Sequence, residues 1–216
     1  MTPIETIRKL SQEFYPEIRE IRRHLHRHPE LSFAEHKTAE YICEQLDLLA
    51  IPYQKGVAGT GIVGEITGNN PNGKIIALRA DMDALPLQEN NEVEYRSRND
   101  GVMHACGHDA HSASLLGTAR ILMNLRDKFS GKVKLVFQPG EEKAPGGASM
   151  MIKENLFGED RPSFVLAQHV YPSMLSGQAG FKEGKYMASS DEIYITIRGK
   201  GGHAAMPHRT TDSVLI

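Results

Sequence analysis

Between residues 62 and 168, short apolar runs rich in β-branched residues alternate with longer runs of helical spacing, and this alternation limits the fold more than any other feature. Residues 62–67, 74–80, 132–137 and 164–168 read as strands, and 109–128 and 147–155 as helices. Leu115, Leu116, Ala119, Leu122 and Met123 form the stripe of the longer helix. Such an order implies an α/β fold, with a mostly parallel sheet flanked by helices. Two helices are expected upstream. The first covers 4–27, with Ile4, Ile7, Leu10, Phe14, Ile18, Ile21 and Leu25 spaced for one face and Pro16 as a point of kinking or restart. The second runs to about residue 49 and is opened by Ser32-Phe33-Ala34-Glu35, a capping-box pattern. The run Asn69-Asn70-Pro71-Asn72-Gly73 is turn chemistry between two strands.

In a sheet of this kind ligands bind beyond the carboxyl ends of the strands. The reactive side chains fall there: Asp81 and Asp83 after one strand, Glu141 and Glu142 after another, His169 after a third. The pattern changes from about residue 176. Residues 177–181 and 192–198 read as strands, the latter alternating through Ile193, Ile195 and Ile197, as at the start of a smaller α+β domain. The expected division is a catalytic domain over 1–180 and a second domain beginning at 181–216.

Charge and composition remove several function classes. The net charge is −2 with no long run of one sign, which argues against nucleic acid and against a polybasic membrane patch. No stretch approaches the roughly 18 apolar residues of a membrane span. The N-terminal run lacks the apolar core of a secretory signal, so a cytoplasmic location is expected. Cys43 and Cys106 do not suggest a disulfide framework.

Three stretches carry chemistry. Met103-His104-Ala105-Cys106-Gly107-His108-Asp109-Ala110-His111 offers one thiol and three imidazoles. Cys and His two apart in an extended loop can face one side, and their donor atoms suit zinc-like cations. The same stretch is also what a polar loop with a helix N-cap at Asp109 would look like. Gln138-Pro139-Gly140-Glu141-Glu142 places two carboxylates after an apolar strand, where one Glu can bind a metal while its neighbour handles a proton. Ala167-Gln168-His169-Val170 ends a third strand with an imidazole. Together these supply Cys106, His108, Glu142 and His169 as ligands and leave Glu141 as base. A thiol enzyme built on Cys106 would give the Glu pair and His169 no role.

These stretches, with Leu25-His26-Arg27-His28-Pro29-Glu30-Leu31-Ser32, Arg79-Ala80-Asp81-Met82-Asp83-Ala84-Leu85-Pro86 and Gly202-His203-Ala204-Ala205-Met206-Pro207-His208, resemble the amidohydrolase branch of the aminoacylase and carboxypeptidase-type metallopeptidases. The resemblance covers nearly the whole chain. It implies hydrolysis of N-acyl amino acids or similar small amides by a metal-activated water, with a dipeptidase or carboxypeptidase, or a non-catalytic relative, as alternatives. It implies two divalent metal ions per subunit, drawn from manganese, zinc, nickel or cobalt. Cys106, His108, Glu142 and His169 would be ligands, with Cys106 bridging, Glu141 the general base, and Asp83 orienting the metal site. His203 would sit on an inserted dimerisation domain and reach the active site of a second copy in a homodimer, holding the oxyanion there. Family members are longer and carry a further histidine ligand beyond that insertion, so these 216 residues are expected to be a fragment.

Overall fold

The computed structural model of the chain describes residues 2–188, 191 and 193–215. It divides into a body, Met1–Leu175, and a segment, Ser176–Ile216.

The body opens with helix α1 (Pro3–Arg27). Its N-terminus is a capping box: Thr2 accepts from the Glu5 amide, and the Glu5 carboxylate accepts from the Thr2 amide. The helix runs unbroken through Pro16, where the sequence suggests a kink or restart. A proline removes one helical hydrogen bond, and the buried stripe of Phe14, Ile21 and Leu25 carries the helix past it. Ile4 and Ile7, also expected on that stripe, are exposed.

Helix α2 (His36–Leu48) starts later than the sequence pattern suggests. Glu35 stands at its N-cap without a side-chain capping bond, so the expected capping box at Ser32–Glu35 is not formed. Both side chains are bonded elsewhere, in contacts that bear on the site. Strand β1 (Tyr53–Val57), not evident in the sequence, forms a hairpin with β2 (Gly61–Thr67) through Ala58 and Gly59, both at positive φ.

Strand β3 (Asn70–Asp81) follows after Gly68–Asn69 and absorbs most of the expected Asn69–Gly73 turn. Then come α3 (His108–Asn124), β4 (Ser130–Gln138), α4 (Gly147–Lys153) and β5 (Phe164–Ala167). The sheet order is β1-β2-β4-β3-β5. The short link between β2 and β3 spans the start of β4, with Gly68 N–H on Gly131 O at 2.9 Å and Asn69 N–H on Phe129 O at 3.0 Å.

Pairings β3–β4 and β3–β5 are parallel, whereas β1–β2 and β2–β4 are antiparallel. The sheet is therefore mixed and not mostly parallel. A tight hairpin reverses chain direction and makes β2 antiparallel, and the helix-bearing connections keep β3, β4 and β5 aligned. The alignment of these three puts Asp81, Gln138 and Ala167, their last residues, on one edge of the sheet.

Alternate residues of β4 serve opposite faces, as the pleat requires. Val133, Leu135 and Phe137 join Ile21, Leu25, Ile42, Leu46 and Leu116 in the main core, and Val136 joins Ala77 and Met151 on the other face. All four residues of β5 are exposed.

In the segment, the expected strands over 177–181 and 193–198 do not form; Glu192 lies outside the described residues. A strand needs a hydrogen-bonded neighbour, and among the described residues the segment has a single β-bridge, Lys200 with Thr211. Ile193, Ile195 and Ile197 are accordingly exposed. Among the described residues, no helix is long and apolar enough to cross a membrane.

Candidate metal centre

The carboxyl-end edge of β3, β4 and β5 faces the start of α3, and the candidate ligands meet there. Gly107 precedes α3 at φ 94°, a conformation open to glycine, and a side chain there would run into Val170. This turn presents Cys106 on one side and His108 on the other.

Donor atoms of Cys106, His108 and His169 lie within 4.8 Å of one another, as do those of His108, Glu141 and Glu142. The structure thus brings the four candidate ligands and the candidate base into two sets that share His108. Cys106 Sγ is 3.3 Å from His169 Nε2. His108 Nε2 lies 3.7 Å from Glu142 Oε1 and 3.9 Å from Glu141 Oε2.

Which atoms are already engaged decides what the cluster can hold. His108 is fully buried, and its Nδ1–H donates to the Asp83 carbonyl at 2.9 Å and to Asp83 Oδ1 at 3.2 Å. That fixes the tautomer and leaves the Nε2 lone pair directed at the Glu pair. His108 Nε2 and Glu142 Oε1 are buried without a hydrogen-bond partner. Buried polar atoms are rarely left so. Burial would lower the His108 pKa, but the bond to Asp83 and the Asp81, Asp83 and Glu142 carboxylates outweigh it and raise it; with Nε2 deprotonated, the two atoms converge as acceptors.

A third acidic set, Asp81, His108 and His111, is also within 4.8 Å. Apart from His108, its members are engaged: Asp81 accepts from His111 Nδ1 at 2.6 Å and from Arg79 at 2.6 Å, and His111 Nε2 accepts the Val170 amide at 2.9 Å. His111 ties the end of β3 to the residue after His169.

The charge balance points the same way. Burial, reinforced by the Glu142 carboxylate, pushes the Cys106 thiol up to about 12. Burial and the adjacent Glu142 carboxylate also raise Glu141. Burial would raise Asp83 too, but hydrogen bonds from His108, Ser32 and the Glu142 backbone hold it below the usual carboxylate range. Clustered acidic groups that oppose one another's ionisation are what a divalent cation relieves, and a cation fits the two open donors on this structure's own atoms.

Sequence reasoning passed over a second layer. His26 donates to Asp109 Oδ2 at 2.7 Å and to Glu89 Oε1 at 3.1 Å, beside Arg22 on Asp109. Asp109 is therefore a buried anchor and not the helix cap its position allows. Burial alone would lower His26, but these two carboxylates outweigh it and raise its pKa. His104, the third imidazole of its stretch, has both ring nitrogens buried without a partner; burial lowers it to about 4 and keeps it neutral. The signal for His26 was present in the motif at 25–32, without any indication of its partners. His203 belongs to the segment; its Nδ1 accepts the Ala205 amide at 3.1 Å, and it is exposed.

Comparison with known proteins gives this edge a context. The model of the family described as peptidase family M20/M25/M40 matches residues 77–214. An N-acyl-L-amino acid amidohydrolase of Geobacillus stearothermophilus is 44% identical over 98% of this chain and 56% of its own length. Thermostable carboxypeptidase 2 of Saccharolobus solfataricus is 43% identical over 100% of the chain and 55% of its own. Among solved structures, a Bacillus subtilis protein described as a dinuclear metal binding peptidase from the M20 family superposes with a TM-score of 0.75 at 40% identity, covering 80% of this chain and 48% of that one. The chain spans about half the length of the curated relatives it matches.

Proposed function

The chain belongs to peptidase family M20/M25/M40, within its amidohydrolase branch, and on that premise we propose that it hydrolyses the amide bond of N-acyl amino acids with two divalent cations. The observation that carries this reading is the convergence of His108 Nε2 and Glu142 Oε1, buried and open, between the Cys106–His169 pair and Glu141.

Cys106, His108, Glu142 and His169 would hold the cations. Manganese, zinc, nickel and cobalt all suit a set of thiolate, imidazole and carboxylate. Bound there, they would polarise the amide carbonyl and make water a better nucleophile.

The chain's own residues do the rest. Asp83 keeps the His108 proton on Nδ1 and draws in the Glu142 amide. Glu141, half-exposed beside Glu142, takes a proton from the attacking water and returns it to the amine nitrogen as the C–N bond breaks. A carboxylate raised toward neutrality is suited to both transfers. The products are the free amino acid and the carboxylate of the acyl group. His203, on the start of an inserted dimerisation domain, would stabilise the oxyanion at the site of a second copy in a homodimer. Residues 1–180 would form the catalytic part, in a cytoplasmic protein.

The carboxypeptidase relative favours a second reading, cleavage of peptides with a free C-terminal residue. Metal content by elemental analysis, with hydrolysis of a panel of N-acyl amino acids and dipeptides, tests both. The proposal expects bound divalent metal and preference for the N-acyl substrates. A protein that binds metal and cleaves only peptides supports the second reading; one that binds none contradicts both.

A further inference from the structure

The stretch Ser32-Phe33-Ala34-Glu35 has the form of a helix cap but does not cap; Phe33 and Glu35 reach the loop at Gly140 directly, and Ser32 reaches it through Asp83. Glu35 is 0% exposed. One oxygen accepts the Gly140 amide at 2.7 Å and the other accepts the Thr60 hydroxyl at 2.6 Å. Burying a carboxylate against a hydroxyl and an amide, with no cation, is unfavourable compared with an apolar side chain of similar size. Helix α2 gains no side-chain capping bond from it.

Phe33 adopts φ 65°, a left-handed conformation rare for an aromatic residue. Its ring lies on Gly140, where a side chain would meet ring atoms at 2.3 and 2.4 Å. Ser32 donates to Asp83 Oδ2 at 2.6 Å, and the same oxygen accepts the Glu142 amide at 2.9 Å. The backbone amides on either side of Glu141, those of Gly140 and Glu142, are therefore each held by a carboxylate connected to residues 32–35.

We infer that Ser32, Phe33 and Glu35 form a clamp that sets the loop carrying Glu141 and Glu142, with Glu35 as its chief positioning residue. The inference rests on the metal reading above and adds a role for residues that touch neither metal nor substrate. The clamp acts through the backbone: it fixes where the Glu142 carboxylate stands relative to His108 Nε2, and so tunes cation affinity as groups behind a metal ligand do.

Zinc affinity, measured on the whole chain by competition with a chromophoric chelator, tests this beside unfolding temperature in the chelated protein. Glu35→Ala is expected to weaken zinc binding about tenfold or more. Glu35→Gln, whose amide oxygen can still accept from Gly140, is expected to recover most of that loss. Thr60→Val removes the other partner of the same carboxylate; it is expected to lower the unfolding temperature while leaving affinity within about twofold. Glu35→Ala with unchanged affinity, or Thr60→Val as damaging to affinity as Glu35→Ala, would make Glu35 a brace of the fold and overturn the clamp. If Glu35→Ala does not fold, Ser32→Ala reads the other arm: a loss of about threefold supports the clamp, and no loss overturns it. Wild-type protein that binds no zinc contradicts the metal reading and the clamp together. Wild-type binding that is weakened by Glu142→Ala and unchanged by Glu35→Ala overturns the clamp alone.

Discussion

The edge around His108 and the segment around His203 both carry histidines in glycine-bearing turns, yet they are built differently. His108 is buried, its tautomer is fixed by Asp83, and its free nitrogen faces carboxylates. His203 is exposed, its imidazole held by the neighbouring Ala205 amide, in a segment where Phe181 is 94% and Ile193 79% exposed. A side chain preorganised by packing and by a second layer of hydrogen bonds can hold an ion by itself. An exposed one in a turn acquires a defined role only through what is brought to it. On the proposed reading, metal binding would belong to the body, and His203 would contribute to turnover alone.

The largest effect should separate these two histidines. His108→Ala is expected to weaken cation binding by more than the roughly 10–100-fold typical of an outer-layer residue, and His203→Ala to leave it unchanged. Calorimetric titration with zinc checks both, and a loss at His203 would erase the distinction. Next is Glu141→Gln, expected to keep metal and reduce turnover by roughly 10²–10⁴-fold in the protein at its natural length. Mixing that variant with His203→Ala should restore part of the activity if the two residues serve one site across a dimer. No recovery in demonstrated mixed dimers would place His203 outside shared catalysis.

A smaller effect concerns Cys106. Coordination should shield it from alkylation and a chelator should expose it, while Cys43, buried on α2 with its thiol raised by burial, should react slowly in both states. Equal Cys106 labelling with and without chelator would count against its place among the ligands.

The smallest effect is on stability. The folded-state pKa of His26 is raised above 6.5, so its bonds to Asp109 and Glu89 contribute most below pH 6.5 and fade as pH rises through the raised value. Both carboxylates are held low and remain ionised across that window. In chelated protein, the gap in unfolding temperature between wild type and His26→Gln should be widest below pH 6.5 and narrow above it. A gap independent of pH would mean that His26 is not charged in the fold.

Periodicity made the body legible. Val133, Leu135 and Phe137 announce a buried strand, and the stripe from Phe14 to Leu25 a core-facing helix, because burial on one face leaves a period in the sequence. The hairpin partner β1 was not legible, since an exposed edge strand such as Tyr53–Val57 has little to alternate. Residue type and position at strand ends pick out the candidate ligands. Their supporting groups were not: Glu35 lies 105 residues from Gly140 and His26 83 residues from Asp109, and no local pattern encodes such pairings. Ser32–Glu35 shows the limit most clearly, because one pattern serves a helix cap or a clamp and only the backbone conformation at Phe33 distinguishes them.

The central claim is that Cys106 and its three companions hold a cation at this edge, and cobalt(II) substitution tests it most directly. Cobalt bound through the thiolate gives a near-ultraviolet sulfur-to-metal charge-transfer band. That band is expected in the wild-type chain, with its loss in Cys106→Ser and no change in Cys43→Ser. Cobalt bound tightly by the wild-type chain without the band, or with a band that survives in Cys106→Ser, would contradict it.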